Sequence, residues 1–267
     1  MTGLIRSEIL KIRTTNVWWL LSIGVAVFTA IALAANCIIA HVQLTSGDEQ
    51  GGRPSVTDLA ANIYTSGQVI GLLLAMVMGV LIVTNEFHHQ TATPTFLTTP
   101  IRSRVIAAKV VTAVAWGLVF AVLSTVLSLI TGAVFLASAN VSTELGNGDV
   151  IKSVLLNILA YGIWAVFGVG IGTLIRNQIG SIVVALVLYF VVDLSVHAAL
   201  FALADYFHHN WIGEVYYYLP SGASSVMTSS GLLQYAPAWW AGALTLAGYG
   251  IVAGLVGTAV TSRRDIG

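Results

Sequence analysis

Long uncharged apolar runs, separated by short polar segments, dominate the chain. Six of these runs are long enough to cross a bilayer, since a membrane-spanning helix needs about 20 predominantly apolar residues. We predict spans at residues 17–40, 63–84, 108–137, 154–175, 179–200 and 237–260. The pattern therefore predicts an all-α integral membrane protein, with six transmembrane helices in a single transmembrane domain over residues 1–267.

Residues 3–15 precede the first span and show a different pattern. Apolar residues recur at helical spacing, and charged residues take the opposite face. The apolar set is Leu4, Ile5, Ile9 and Ile12, and the charged set is Arg6, Glu8, Lys11 and Arg13. We expect an amphipathic interfacial helix whose basic face meets anionic headgroups. The alternative is a frayed basic segment that only sets the topology.

The connection at residues 201–234 is long and apolar, and it carries Trp211 and the run Tyr216, Tyr217 and Tyr218. Structureless loops of this length are uncommon. Backbone at membrane depth must be covered by protein or must line a wet cavity. We therefore expect one or two short re-entrant helices in the outer leaflet before the sixth span.

Composition agrees with a lipid environment. Charged residues make up 8% of the chain and hydrophobic residues 57%, whereas a soluble domain has about a quarter of its residues charged. The net charge is zero, and we expect no nucleic-acid partner. The single cysteine, Cys37, excludes an intramolecular disulfide and a multi-cysteine metal site; we interpret it as a small apolar residue within a span.

The distribution of basic residues predicts the orientation. With six spans, only Arg53 and Lys152 fall on one side of the membrane, and the other side receives every remaining Lys and Arg. The positive-inside rule then places both termini in the cytoplasm. It also places residues 85–104, which follow the second span, on the cytoplasmic side.

Asp193 and His197 are the ionisable residues that lie well inside a predicted span. They are four residues apart, so they share a helical face and can pair. A charged side chain at mid-bilayer costs about 2.5–3.5 kcal/mol on insertion scales. One interpretation is a polar element of a substrate path or a proton-sensitive gate; the other is a polar pair that holds helices together.

No other constellation predicts chemistry. The groups Glu86, His88, His89 and Asp205, His208, His209 lack zinc-ligand spacing, so we predict no metal site. The segment 146–153 resembles a phosphate loop, but Ile151 stands where glycine is required. We therefore predict no enzyme activity for this chain by itself.

Small-residue pairs in three spans favour close helix packing: Gly67 with Gly71, Gly168 with Gly172, and Gly250 with Gly254.

The segment after the second span carries a family resemblance. Its motif residues are Glu86, Phe87, Thr91, Leu97, Pro100, Arg104 and Lys109, and YLPSGA precedes the sixth span. In order and spacing these resemble the permease subunits of type-2 ABC exporters. His88 and Gln90 depart from the usual pattern, which has a basic residue and a glycine there.

The resemblance implies two permeases side by side, this chain and a same or homologous partner, with two ABC ATPase subunits beneath them. ATP and Mg would bind the ATPases, and this chain would bind no cofactor. The coupling segment is residues 85–104, with a helix from Glu86 to about Leu97. Its contacts to the ATPase would be Glu86, Phe87, His88, His89, Thr91, Pro94, Phe96 and Leu97.

Two further sets of residues complete the prediction. Interfacial basic residues would be Arg6, Lys11, Arg13, Arg102 and Arg104, and candidate path or gate residues would be Asp193, His197, Tyr218 and Pro220. We expect a multi-pass protein of a bacterial cell membrane that exports drugs, peptides or lipids. One alternative is a self-contained ion-coupled transporter that uses Asp193 and His197; another is a membrane anchor that transports nothing.

Overall fold

The computed structural model describes residues 2–45, 55–89, 102–175, 177–229 and 236–263. All regular structure in these ranges is helical. The helices are α1 (Thr2–Arg13), α2 (Val17–Thr45), α3 (Val56–Tyr64), α4 (Gln68–His88), α5 (Arg102–Ser138), α6 (Gly148–Leu174), α7 (Gln178–Leu186), α8 (Asp193–Phe207), α9 (Asn210–Glu214), α10 (Pro220–Thr228) and α11 (Trp239–Arg263). A π-helical segment (Val187–Val192) joins α7 to α8, and a 3₁₀ turn (Val215–Tyr218) precedes α10.

Five helical stretches are long and apolar enough to cross a membrane. They are Val17–Thr45, Val56–His88, Ser103–Ser138, Gly148–Leu174 and Gln178–Phe207. Within α11, the stretch Trp239–Ala253 is a shorter apolar helix among the described residues. The prediction of an all-α integral membrane protein is confirmed, and the chain crosses the membrane several times.

The predicted polar connection between the first two spans is more ordered than the sequence indicated. Helix α2 continues beyond residue 40 to Thr45, and α3 begins at Val56. A capping box starts α3, because the Ser55 hydroxyl accepts from the Asp58 backbone N–H while the Asp58 carboxylate accepts from that of Ser55. At the same end of the bundle, the Tyr64 hydroxyl donates to the Thr143 carbonyl at 2.6 Å.

Helix α4 forms the centre of the bundle. Most of its residues are buried, and it packs on α6, α5, α2 and α7. Its contact with α6 is a backbone contact, because a Cβ built on Gly79 would overlap the carbonyl oxygen of Ala165, and one built on Gly168 would overlap that of Met76. Glycine at these positions therefore sets the distance between the two helices.

The predicted small-residue pairs take part in this packing. Gly168 and Gly172 both face α4, whereas Gly71 leaves room for the Tyr161 side chain of α6. The Tyr161 hydroxyl donates to the Gly67 carbonyl at 3.0 Å. Gly250 lies against Ile163 of α6, and the side-chain position of Gly254 lies outside the described residues.

Short helices occupy much of the connection before α11. Helix α9, the 3₁₀ turn and α10 lie between α8 and the last helix, and residues 230–235 lie outside the described ranges. Pro220 occupies the first turn of α10, where its missing N–H costs nothing. Entry of these helices into the outer leaflet stays a prediction.

Replacing Gly168 with alanine should destabilise the protein, by roughly 1–3 kcal/mol, because the added methyl overpacks the contact with Met76. Gly162→Ala on the same helix is the matched control, since its Cβ would meet Val114 at an ordinary 3.6 Å. Thermal unfolding of the detergent-purified protein measures both. Equal melting temperatures for the two variants would contradict the backbone contact.

Candidate functional site: an ionic cluster and the Asp193 cavity

Four charged side chains meet where α1, the end of α4 and the start of α5 come together. The Lys109 ammonium lies 2.8 Å from Glu8 Oε2 and 3.0 Å from Glu86 Oε1. The Lys11 ammonium lies 2.7 Å from Glu8 Oε1 and 2.7 Å from Glu86 Oε1. Glu8, Lys11, Glu86 and Lys109 therefore form a closed group of alternating charges, which we call the ionic cluster.

Three of the four side chains in the ionic cluster are almost entirely removed from solvent, and Lys11 is half-buried. Glu8 and Glu86 are each 4% exposed and Lys109 is 3% exposed. Lys109 also donates to the Ile82 carbonyl at 3.1 Å, so its ammonium has protein partners on several sides. Buried charges are tolerated when they are paired and hydrogen-bonded. Two carboxylates and two ammonium groups satisfy that condition as a neutral set.

The environment of the ionic cluster shifts the pKa values of its two members on α1, Glu8 and Lys11. Burial would raise the pKa of Glu8, but the ammonium groups of Lys109 and Lys11 outweigh it, so this pKa lies below its ordinary value. Burial would lower the pKa of Lys11, but hydrogen bonds and charge interactions with Glu8 and Glu86 raise it above its ordinary value. Each shift favours the charged form of its side chain.

The sequence pattern placed Glu8 incorrectly. Helical spacing put it on the polar face of α1 with Arg6 and Arg13, and those two are exposed, but Glu8 is buried against Lys109. Lys11 is half-buried and binds both carboxylates of the cluster. A single acidic residue in a basic helix and a lone lysine at the start of an apolar run are the only signals of this pairing in the sequence.

The described part of the coupling segment lies at the end of α4 (residues 85–89) and at the start of α5 (residues 102–104). Glu86, Phe87 and His88 form the last turn of α4, and His89 caps it, so the structure differs from the expectation that a separate helix begins at Glu86. Phe87 packs against the main apolar core, whereas His88 and His89 are exposed. Thr91, Pro94, Phe96 and Leu97 lie outside the described residues. Contact of this segment with an ATPase stays a prediction.

The predicted interfacial basic residues near the cluster differ in position. Arg6, Arg13 and Arg104 are exposed. Arg102 begins α5, and its side chain lies outside the described residues. Their contact with lipid headgroups stays a prediction, as does that of Lys11.

A second candidate site lies where the π-helical segment meets α4, α6 and α10. Tyr189 of this segment donates to the Val69 carbonyl. Its ring packs edge-on against Trp164, with 5.2 Å between the centroids. Trp164 in turn donates to the Ser224 hydroxyl of α10 at 2.8 Å. Single π-helical turns inside α-helices are frequent at functional sites. Asp193 is the residue that directly follows this one.

Asp193 follows directly after the π-helical segment and accepts a hydrogen bond from the Ser221 hydroxyl of α10. It lines a cavity of about 180 Å³, which we call the Asp193 cavity. The wall is otherwise mostly apolar and aromatic. It consists of Met76, Trp164, Phe167, Leu188, Tyr189, Val192, Val196, Leu219, Pro220 and Ser221.

The structure brings only part of the predicted path together. Asp193 and Pro220 line the same cavity. The His197 ring stacks on Tyr216 at 4.0 Å, and no hydrogen bond or ion pair joins it to Asp193 in the described part of the chain. Tyr218 accepts a hydrogen bond from Tyr249 of α11 through its carbonyl. Sequence reasoning missed Trp164, Tyr189 and Ser221, since residues far apart in the chain form this wall.

These features define a multi-pass membrane protein with a buried ionic cluster at one end and an aromatic cavity between its helices. A family model described as ABC-2 family transporter protein matches residues 4–192, from α1 to the end of the π-helical segment. The chain belongs to this family and is an ABC transporter permease, as the resemblance predicted. No curated protein matches the chain.

Family membership also bears on catalysis and partners. ABC-2 permeases are membrane components that do not themselves hydrolyse ATP. They associate in general with an ABC ATPase. The matched range contains all four residues of the ionic cluster as well as Tyr189.

Removing one charge from the ionic cluster should lower the free energy of unfolding more than removing a pair of opposite charges. Lys109→Met leaves two buried carboxylates with one ammonium, and breaking a buried pair in this way costs about 3–5 kcal/mol. Glu8→Gln combined with Lys109→Met leaves the neutral Lys11–Glu86 pair, so the double variant should be more stable than the two separate losses imply. Unfolding in mixed micelles measures these free energies.

Arg104→Gln is the control for this series, because Arg104 is an exposed cation on the same helix as Lys109. It should change the free energy of unfolding by less than about 0.5 kcal/mol. Strictly additive losses in the double variant would show that Glu8 and Lys109 do not interact.

Acidification should destabilise the wild-type protein more than it destabilises the Glu8→Gln variant. The pKa of Glu8 is lower in the folded than in the unfolded protein, so its carboxylate contributes stability above the ordinary carboxyl pKa of about 4.3. That contribution disappears as the pH falls through the lower folded-state value. Melting temperatures measured between neutral and strongly acidic pH test this. Parallel profiles for the two proteins would contradict the assignment.

Proposed function

We propose that this chain is the permease of an ATP-driven exporter and that the ionic cluster couples it to the ATPase. The observation that carries the proposal is the bonding of Glu86, at the start of the predicted coupling segment, to both α1 and α5. The family match supports an ATPase partner in general. The cluster supplies a physical route by which such a partner would move the membrane helices.

The route runs through α4. Glu86 lies in its last turn and Met76 lines the Asp193 cavity, and about 15 Å of continuous helix separates them at a rise of about 1.5 Å per residue. A helix packed on all sides moves as a rigid element. Force applied to residues 85–101 would therefore shift the cavity wall, and the cluster would carry α1 and the start of α5 with it.

The proposed assembly contains two ATPase subunits, with ATP and Mg bound to them, and a second permease that is either identical or homologous. The proposed topology has six spans with cytoplasmic termini, and α11 (Trp239–Arg263) is the sixth. The proposed location is a bacterial cell membrane, with drugs, peptides or lipids as the exported compounds. Exposed His88 and His89 at the end of α4 support a docking surface there.

The ion-coupled carrier is the weaker candidate. It required Asp193 and His197 to act together, but in the described structure Asp193 bonds to Ser221 and His197 stacks on Tyr216. Membership of an ABC family does not favour it either.

The detergent-extracted chain should co-purify with an ABC ATPase, and Glu86→Gln should change the ATP hydrolysis rate of that complex several-fold while both subunits remain. The reason is that the amide cannot hold Lys11 and Lys109 as the carboxylate does. Asp149→Asn, an exposed acid at the opposite end of the bundle, is the matched control. Absence of an ATPase, or a Glu86→Gln complex identical to wild type, would overturn the proposal.

A further inference from the structure

The Asp193 carboxylate lies among apolar and aromatic side chains without a cationic neighbour in the described structure. Its hydrogen-bond partner is the neutral hydroxyl of Ser221. The described residues that line the Asp193 cavity include no Lys, Arg or His. A carboxylate in such a place is costly unless a positive charge approaches it. The cavity wall thus carries one carboxyl group and, among its described residues, no basic side chain to pair with it.

Two neighbouring cavities continue from this point toward the end of the bundle that holds α3. One, of about 300 Å³, shares Tyr189, Asp193 and Ser221 with the Asp193 cavity. The next, of about 350 Å³, shares Gln68 and Ser225 with the first of these. Successive cavities share wall residues, and we call this row of three cavities the path.

The charge along this path has one sign. Its acidic lining residues are Asp193 and, at the far end, Asp58. The Asp58 Oδ1 atom is buried and has no hydrogen-bond partner in the described structure. Hydroxyl and amide groups supply the other polar atoms there, among them Thr65, Gln68 and Thr228. The described residues that line these three cavities include no Lys, Arg or His, so the carboxyl groups favour cations over anions there. An adjoining cavity that shares Tyr216 with the second has His197 and His208 in its wall.

The opposite end of the path is apolar and aromatic. Trp164 packs edge-on against both Phe167 and Tyr189, with centroid distances of 5.9 and 5.2 Å. Met76 of α4 closes this end. Aromatic faces beside a carboxylate favour a cationic group attached to an apolar body, since ring faces attract cations and the rings also bury apolar surface.

We propose that the Asp193 cavity binds monocationic amphiphiles. Their apolar body lies among Met76, Trp164 and Phe167, and their ammonium group lies against Asp193. This inference rests on the proposed export function, because it names the class of compound that the permease carries. A cavity of about 180 Å³ accommodates one aromatic ring with a small quaternary head, and the adjoining cavities extend the space for longer compounds.

Equilibrium dialysis of radiolabelled benzyltrimethylammonium against the full-length permease in dodecylmaltoside tests the site. Binding to protein-free micelles is subtracted. The wild-type protein should bind the cation, and phenylmethanesulfonate should fail to displace it. This competitor has the same benzyl body and a tetrahedral head of opposite charge, so it isolates the role of charge. Displacement by the sulfonate as effective as that by unlabelled cation, or no binding of the cation, would overturn the proposal.

Substitutions of acidic residues show which carboxyl group binds the cation. Asp193→Asn keeps the shape and the hydrogen bond from Ser221 but removes the charge, and it should weaken cation binding by roughly tenfold or more. Asp193→Glu should retain binding, and Asp149→Asn, an exposed acid outside the path, should leave it unchanged. Wild-type affinity in a folded Asp193→Asn protein would overturn the proposal. If that variant does not fold, the sulfonate competition on wild type decides alone.

The outcome is separable from that of the proposed function. Dialysis uses the permease without ATP or ATPase, whereas the coupling proposal is tested by co-purification and ATP hydrolysis. Cation binding without an ATPase partner would retain the site and overturn the exporter. An ATPase complex whose permease binds no cation would retain the exporter and overturn this substrate class.

Discussion

Burying four charges at one end of a helical bundle is favourable only when each meets an opposite charge. The ionic cluster satisfies this requirement with Glu8 and Glu86 against Lys11 and Lys109. Its members come from α1, α4 and α5. Withdrawal of α4 or α5 would leave an unpaired charge, and withdrawal of α1 would break the Glu8–Lys109 and Lys11–Glu86 ion pairs. The cluster therefore turns an amphipathic N-terminal helix into a structural part of the membrane domain.

The centre of the bundle depends on a second constraint, the absence of side chains at Gly79 and Gly168. Backbone contact there holds α4 close to α6. Because α4 also carries Glu86 at one end and Met76 beside the Asp193 cavity, one rigid helix joins the two candidate sites.

The cavity's other wall is formed by the π-helical segment and the first turn of α10, which are short elements. Short elements resist displacement less than packed long helices do, which favours movement on that side of the cavity.

Much of the fold could be predicted from the sequence, because lipid requires long uncharged helices and such runs are visible without any knowledge of packing. The family could also be identified, since residues between Glu86 and Lys109 carry a local motif, and the match over residues 4–192 confirms it. The ionic cluster could not be predicted in this way. Glu8 and Lys109 are 101 residues apart, and helical periodicity assigns a face but not a partner.

The candidate cavity shows the same limit. Asp193 stood out as a charge inside a span, and Pro220 as part of a motif, but their common cavity arises from the π-helical segment and from Ser221, which leave no local pattern. The expected Asp193–His197 pair followed from spacing alone. It is replaced in the described structure by contacts to residues on other elements, because Tyr216 and Ser221 approach from the connection before α11.

The distance between α1 and α5 tests most directly whether the ionic cluster fixes α1 to the membrane domain. Spin labels at Ser7 and Ser103, both exposed, in a Cys37→Ala background allow this distance to be measured by double electron–electron resonance. We expect one narrow distance distribution in the otherwise wild-type protein and a broad one after Lys109→Met. A distribution that is equally narrow with and without the Lys109 charge would contradict it.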